Sequence, residues 1–156
     1  MVKHVTGDIF TSGADYILHQ VNCQGVMGSG VAKQVREKYP AVFEAYRNLC
    51  LAHTSGALNV LGYAQVVPND NGSQCIVNLF AQEKFGYDGK CYTSYAALRQ
   101  SLRTVREWVE HQPGATIAIP YLMSCHRGGG NWEMVSQIIE EELGHLNVTL
   151  WEYRGG

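Results

Sequence analysis

The sequence predicts an α/β fold, and three observations carry that expectation. Short apolar strands alternate with helical patterns along the whole chain. Twice a strand runs into a glycine-rich loop that opens a helix, once at 21–31 and again at 120–132. Apolar residues make up 46% of the chain and charged residues 17%, a balance that supports a packed core and argues against a disordered chain. The 156 residues fit one domain, taken as 1–156, with little room for a second.

The first strand is expected at 2–5, followed by Gly7-Asp8-Ile9. Residues 16–21 read as a buried strand leading into Gly25-Val26-Met27-Gly28-Ser29-Gly30. A helix follows over 31–38 and stops at Pro40, whose ring blocks the helical hydrogen bond. A second helix covers 41–52, with Val42, Tyr46 and Leu49 on one face. Strands are expected at 64–67 and 75–80, separated by the turn-rich run 68–72. The clearest helix spans 93–110, where Leu98, Leu102, Val105 and Val109 follow helical spacing. A buried strand at 116–120 precedes a helix at 132–143, with Val135, Ile138, Ile139 and Leu143 facing inward and Asn131 as N-cap. Residues 148–153 close the sheet.

Composition excludes several classes of function. The formal net charge is -2 and no block of lysine or arginine stands out, so direct nucleic-acid binding is not expected. Cys23, Cys50, Cys75, Cys91 and Cys125 are odd in number and contain no CxxC pair. That spacing predicts neither a disulfide framework nor a structural zinc site, and it points to a reducing, cytoplasmic compartment. The N-terminus lacks a signal-peptide pattern, and no apolar run is long enough for a membrane span. No His/Asp/Glu cluster has ligand spacing, so neither a metal nor a cofactor is implied.

The two glycine-rich loops carry the functional signal. In open α/β sheets, ligands sit beyond the carboxyl ends of strands. Glycine lets the backbone approach a ligand closely, and successive N–H groups at a helix start surround a phosphate. Two facing loops suit a diphosphate better than a single phosphate. Neither loop is a P-loop or a Rossmann fingerprint.

The order of motifs is more specific. Gly7-Asp8-Ile9, followed by Asn22-Cys23-Gln24-Gly25-Val26-Met27-Gly28-Ser29-Gly30-Val31-Ala32, resembles the macro-domain pattern of a GD[IL] turn and then VNxxGxMGxGxA. Asn78 to Gln82, Tyr92 to Leu98 and the run from Ile119-Pro120 to Trp132 also resemble macro-domain segments. The likeness is strongest to the branch that processes ADP-ribose-1''-phosphate. It implies a three-layer α/β/α fold with a central mixed sheet. It also implies ADP-ribose, or a derivative of it, as ligand, with ADP-ribosylated macromolecules as further partners; the lack of an apolar span leads to no expectation of membrane contact.

Residue by residue, the resemblance implies that Asp8 accepts from the adenine amine, with Gly7 and Ile9 beside it. Asn22 contacts the distal ribose, while Gly28, Ser29, Gly30 and Val31 meet the diphosphate. The second phosphate loop corresponds to Ser124, Cys125, His126, Arg127, Gly128 and Gly129. That loop departs from the family pattern GCGxxGG, because Ser124 and His126 replace glycines. If either position needs positive φ, the substitution carries strain. The lysine/aspartate pair of one hydrolase branch is missing; Gln82 and Gly128 occupy its places. His19-Gln20-Val21-Asn22 matches the H-x-x-N spacing of the phosphatase branch, which makes His19 and Asn22 the catalytic candidates. His19 reaches the distal ribose only if the strand breaks near Val21, because residues 19 and 22 of a regular strand point to opposite faces. Hydrolysis of ADP-ribose-1''-phosphate or an acylated ADP-ribose is expected, and a non-catalytic binding module stays open as the alternative. A third reading is a protein-contact role after loss of ligand affinity in the second loop.

Overall fold

The computed structural model describes residues 2–69, 74–125 and 127–155. Its strands are β1 (Lys3–Thr6), β2 (Tyr16–Asn22), β3 (Ala64–Pro68), β4 (Cys75–Gln82), β5 (Thr116–Pro120) and β6 (Asn147–Glu152). Its helices are α1 (Gly30–Lys38), α2 (Pro40–Thr54), α3 (Tyr95–Val109) and α4 (Trp132–Leu143), and a 3₁₀ turn covers Ile9–Thr11. The turn expected at 70–72 and the candidate His126 lie outside the described residues.

The strands form one sheet in the order β1-β6-β5-β2-β4-β3, parallel except for the antiparallel β3–β4 pair. One face packs on Val35 of α1 and on Val42, Tyr46 and Cys50 of α2. The other packs on Leu98, Leu102, Val105 and Val109 of α3 and on Val135, Ile138, Ile139 and Leu143 of α4. The result is a three-layer α/β/α arrangement around a mixed sheet. Each of these buried aliphatic side chains removes apolar area worth about 1.5–3 kcal/mol. Glu142, nearly buried on α4, is clamped by Arg99 at 2.7 Å, Arg106 at 2.8 Å and Arg103 at 3.1 Å, which fixes α4 against α3.

Where boundaries differ from expectation, a capping group decides. Helix α3 starts two residues later than its periodicity suggests, because the Ser94 side chain accepts from Ala97 N at 3.1 Å and Thr93 is drawn into a bridge with Gln82. Pro40 both ends α1 and opens α2, since the first helical position needs no N–H.

One detail of the sheet creates the site. Neighbours β2 and β5 pair only at Tyr16–Ile117 and Ile17–Ala118. Beyond that the two strands separate, and Pro120 has no N–H to offer across the gap.

Candidate functional site

A cleft of about 830 Å³ opens at this fork, over the carboxyl ends of the parallel strands. That volume suits a nucleotide-sized ligand. Six segments line it: Gly7–Phe10 after β1, the end of β2, the first glycine loop with the start of α1, Gln82 with Phe85–Tyr87 at and after the end of β4, the end of β5 with the loop after it, and Trp151–Tyr153 at and after the end of β6.

At one end, Asp8 accepts from Phe10 N through Oδ1 at 3.0 Å, capping the 3₁₀ turn. Asp8 also lines the cleft, and a carboxylate has a second oxygen able to accept, so capping and ligand recognition are compatible. Gly7 lies so close to Trp151 that a Cβ would come within 2.9 Å of the indole, and its N–H bonds to Glu152 O at 2.9 Å. Phe10, Trp151 and Tyr153 give this end apolar walls.

The first glycine loop is pinned from within. Asn22 donates through Nδ2 to Val26 O at 2.8 Å, and its Oδ1 accepts from Gln24 N at 2.9 Å and from the buried Tyr46 hydroxyl at 2.7 Å. The β2–β4 ladder slips between Val21 and Asn22, which turns the Asn22 side chain toward α2. That is the break on which the pairing of His19 with Asn22 depended. Gly30, at φ +59°, then starts α1. Ser29 at the N-cap makes no side-chain cap bond. Among the described residues, no acceptor meets the amides of Gly28, Ser29, Gly30, Val31 or Ala32. Helix α1 thus presents an open N-terminus to the cleft, where backbone donors and the helix dipole favour an anion.

His19 sits in the cleft floor, 2% exposed. Its Nε2 lies 2.6 Å from Asn78 Oδ1, Asn78 Nδ2 donates to Gln65 Oε1 at 3.0 Å, and Gln65 Nε2 donates to Ala45 O at 3.0 Å. Each amide is oriented by the next, so His19 carries its proton on Nε2. Its Nδ1 is buried without a partner and keeps a free lone pair. Burial lowers the imidazole pKa to about 4 against the opposing hydrogen bond from Asn78. At neutral pH His19 is therefore a neutral acceptor and a weak base.

The second loop is held differently. Ser124 adopts φ +75°, so the strain expected of a side chain at a position of positive φ is present. Its hydroxyl donates to Gln20 Oε1, and Gln20 Nε2 donates to Gln82 Oε1 at 2.8 Å and Thr93 Oγ1 at 2.9 Å. Gly128 is enclosed: a Cβ there would meet Thr93 Oγ1 at 2.4 Å and Ser124 O at 2.6 Å. Its carbonyl accepts from Tyr92 N at 2.7 Å and Thr93 N at 2.9 Å. Ser124, Arg127 and Gly128 line the cleft, whereas Cys125 and Gly129 do not. Cys125 turns its side chain to the α3–α4 core, and Gly129 backs onto Lys90. The guanidinium of Arg127 lies 4.3 Å above the Tyr87 ring, which brings the 83–92 loop over the cleft.

Cys23 is fully buried and outside the cleft lining, and its thiol is pushed up to about 12 by burial, with Glu83 and Cys50 adding to the rise. It is no nucleophile here. Cys23, His53 and Glu83 bring ligand-type atoms within 4.8 Å of one another behind the first loop. Val60 N donates to His53 Nδ1 at 3.1 Å, however, which leaves the proton on Nε2, facing Glu83 at 2.7 Å. Both ring nitrogens are committed, and the group ties α2 to the end of β4.

Trp151, Tyr153, Tyr121 and Gln34 line the cleft without having been singled out in the sequence. Strand order brings the first two there: β6 ends beside β1, and sequence spacing does not reveal that adjacency.

A family model described as Macro domain matches residues 18–139. A protein of Mycobacterium tuberculosis named DNA ADP-ribosyl glycohydrolase is 28% identical over all of this chain, which spans 43% of that relative's length. A protein of Neosartorya fischeri named ADP-ribose 1''-phosphate phosphatase is 43% identical, with 99% of this chain and 96% of the relative covered. The solved macrodomain of Mycobacterium tuberculosis DarG superposes with a TM-score of 0.78 at 25% identity, covering 100% of this chain and 99% of that one.

Proposed function

The chain belongs to the macro domain family, and from that premise we propose that its cleft binds ADP-ribose and hydrolyses a derivative of it at the distal ribose. The observation that carries this reading is the uncapped N-terminus of α1, whose free amides open onto the cleft between the two glycine loops. In the proposed pose, adenine lies between Phe10 and the β6 end, with its amine donating to the free oxygen of Asp8. The diphosphate spans the amides of 28–32 and the second loop. The distal ribose reaches the floor near His19 and Asn22.

A lysine/aspartate mechanism finds no support in this chain. Both ends of the Gln82 amide are engaged, with Gln20 and Lys84 O, and Gly128 has no room for a side chain. The neutral His19 positions a water more readily than it protonates a leaving group. The same absence of a strong acid favours one alternative, a module that binds ADP-ribose without cleaving it. An ADP-ribosylated macromolecule as substrate and a cytoplasmic setting belong to this proposal too.

Calorimetric titration with ADP-ribose, ADP and AMP tests the binding. Micromolar affinity, about -8 kcal/mol at 1 μM, that is strongest for ADP-ribose supports the pose. No heat at millimolar ligand removes it. Phosphate release from ADP-ribose-1''-phosphate, run beside release of ADP-ribose from a modified oligonucleotide, then separates hydrolase from module and one leaving group from the other.

A further inference from the structure

Arg127 is the only lysine or arginine among the described residues that line the cleft; the acids there are Asp8 and Glu152. Among the described residues no carboxylate pairs with its guanidinium. It rests instead on the ring of Tyr87, 4.3 Å from the centroid. Tyr87 is 63% exposed, and its hydroxyl lies near Gly28 of the first loop. Three loops therefore meet over the stretch between the two glycine loops: 83–92 through Tyr87, 120–131 through Arg127, and 22–30 through Gly28.

We propose that Tyr87 and Arg127 form a roof that selects for a diphosphate, with Tyr87 holding the guanidinium in place until it pairs with the bound anion. The inference rests on the ADP-ribose reading above and deepens it. A guanidinium on an aromatic face is partly desolvated and oriented without being neutralised. When a diphosphate occupies the amides of α1 beneath it, the planar fork offers paired N–H donors to phosphate oxygens. The backbone donors of α1 supply the floor, and Arg127 supplies the side-chain cation among the described residues. Tyr87 is a positioning residue, because it acts through Arg127 and not on the ligand. The selectivity this predicts is for ligands that contain the diphosphate over adenosine, which has the base and ribose but no anion.

The test is titration of wild type, Arg127→Gln, Arg127→Lys, Tyr87→Leu and Tyr87→Phe with ADP-ribose and with adenosine, at low and high salt. Arg127→Gln is expected to weaken ADP-ribose about tenfold or more, to leave adenosine unchanged, and to flatten the salt dependence. Arg127→Lys retains the charge but not the fork, and recovers only part of the loss. Tyr87→Leu weakens ADP-ribose less than Arg127→Gln does, and combining Tyr87→Leu with Arg127→Gln in one chain adds nothing beyond Arg127→Gln alone. Tyr87→Phe retains the ring and restores wild-type affinity. Equal ADP-ribose affinity in wild type and Arg127→Gln overturns the roof while leaving the ligand assignment intact. A wild type that binds no ADP-ribose overturns both. A loss in Tyr87→Leu that Tyr87→Phe does not restore overturns the role of the ring.

Discussion

His19 and Gln20 are adjacent in β2, yet each heads a different polar network on an opposite face of the sheet. The His19 network runs through Asn78 and Gln65 to α2 and leaves one buried nitrogen, His19 Nδ1, without a partner. The Gln20 network runs through Gln82, Thr93 and Ser124 to the second loop, and each side-chain amide or hydroxyl in it has a partner. A closed network rigidifies what it touches, whereas one that ends on an unpaired buried acceptor carries a desolvation cost that no bond repays. The difference is one of completion: the Gln20 side is fully satisfied and braces the second loop, and the His19 side keeps one buried acceptor unpaired.

The largest effect that would break this contrast is a pH response. The folded imidazole of His19 stays neutral down to about 4, while the unfolded chain takes up the proton near 6.5. Its contribution is therefore fully present above 6.5 and is lost as pH falls toward 4. The loss amounts to about 3 kcal/mol. Denaturant unfolding across that window, compared with His19→Gln, is expected to show a flatter profile in the variant. Equal slopes would mean that His19 is solvated and its network open.

Next in size is Gly128→Ala, which drives a methyl group into Thr93 and the Ser124 carbonyl. It is expected to cost on the order of 2 kcal/mol of stability, read as a lower melting temperature, and to weaken ADP-ribose more than tenfold by calorimetry. Replacing Gln20 with Leu strands the Ser124 hydroxyl and one end of Gln82. About 1–3 kcal/mol should be lost, with unfolding rather than ligand chemistry as the readout. The smallest effect belongs to Ser124→Gly. Relief of the left-handed backbone, roughly 1 kcal/mol, offsets loss of the bond to Gln20, about 1 kcal/mol. A melting temperature close to wild type is expected. A large drop would show that the hydroxyl, and not the carbonyl of Ser124, anchors the loop.

Most of the fold was legible in the sequence because hydrophobic period and punctuation agree. The strand at Thr116–Pro120 and the helix at Trp132–Leu143 end where the sequence indicates, since Asn131 caps one and Pro120 closes the other. The first loop was legible for the same reason: few sequences need so many glycines at one strand end. The second loop was less so. The family resemblance makes Cys125 a ligand residue along with its neighbours, but its side chain packs against the α3–α4 core and lies outside the cleft lining. Trp151 and Tyr153 were illegible, since their place depends on β6 lying beside β1 at the far edge of a crossover. The Tyr87–Arg127 contact joins residues 40 positions apart, and no local pattern records it.

The short pairing of β2 with β5 has a mechanical consequence. A groove cut between fully laddered strands would be fixed near the interstrand spacing of about 4.8 Å, and widening it would break rungs. Here the rungs beyond Ile17 and Ala118 were never made. A ligand wedged into the fork thus meets two strand ends with nothing mutual to lose, while the four outer strands keep the frame rigid. Bulkier groups on the distal side can be admitted by adjusting loops alone, with the sheet acting as a fixed jaw.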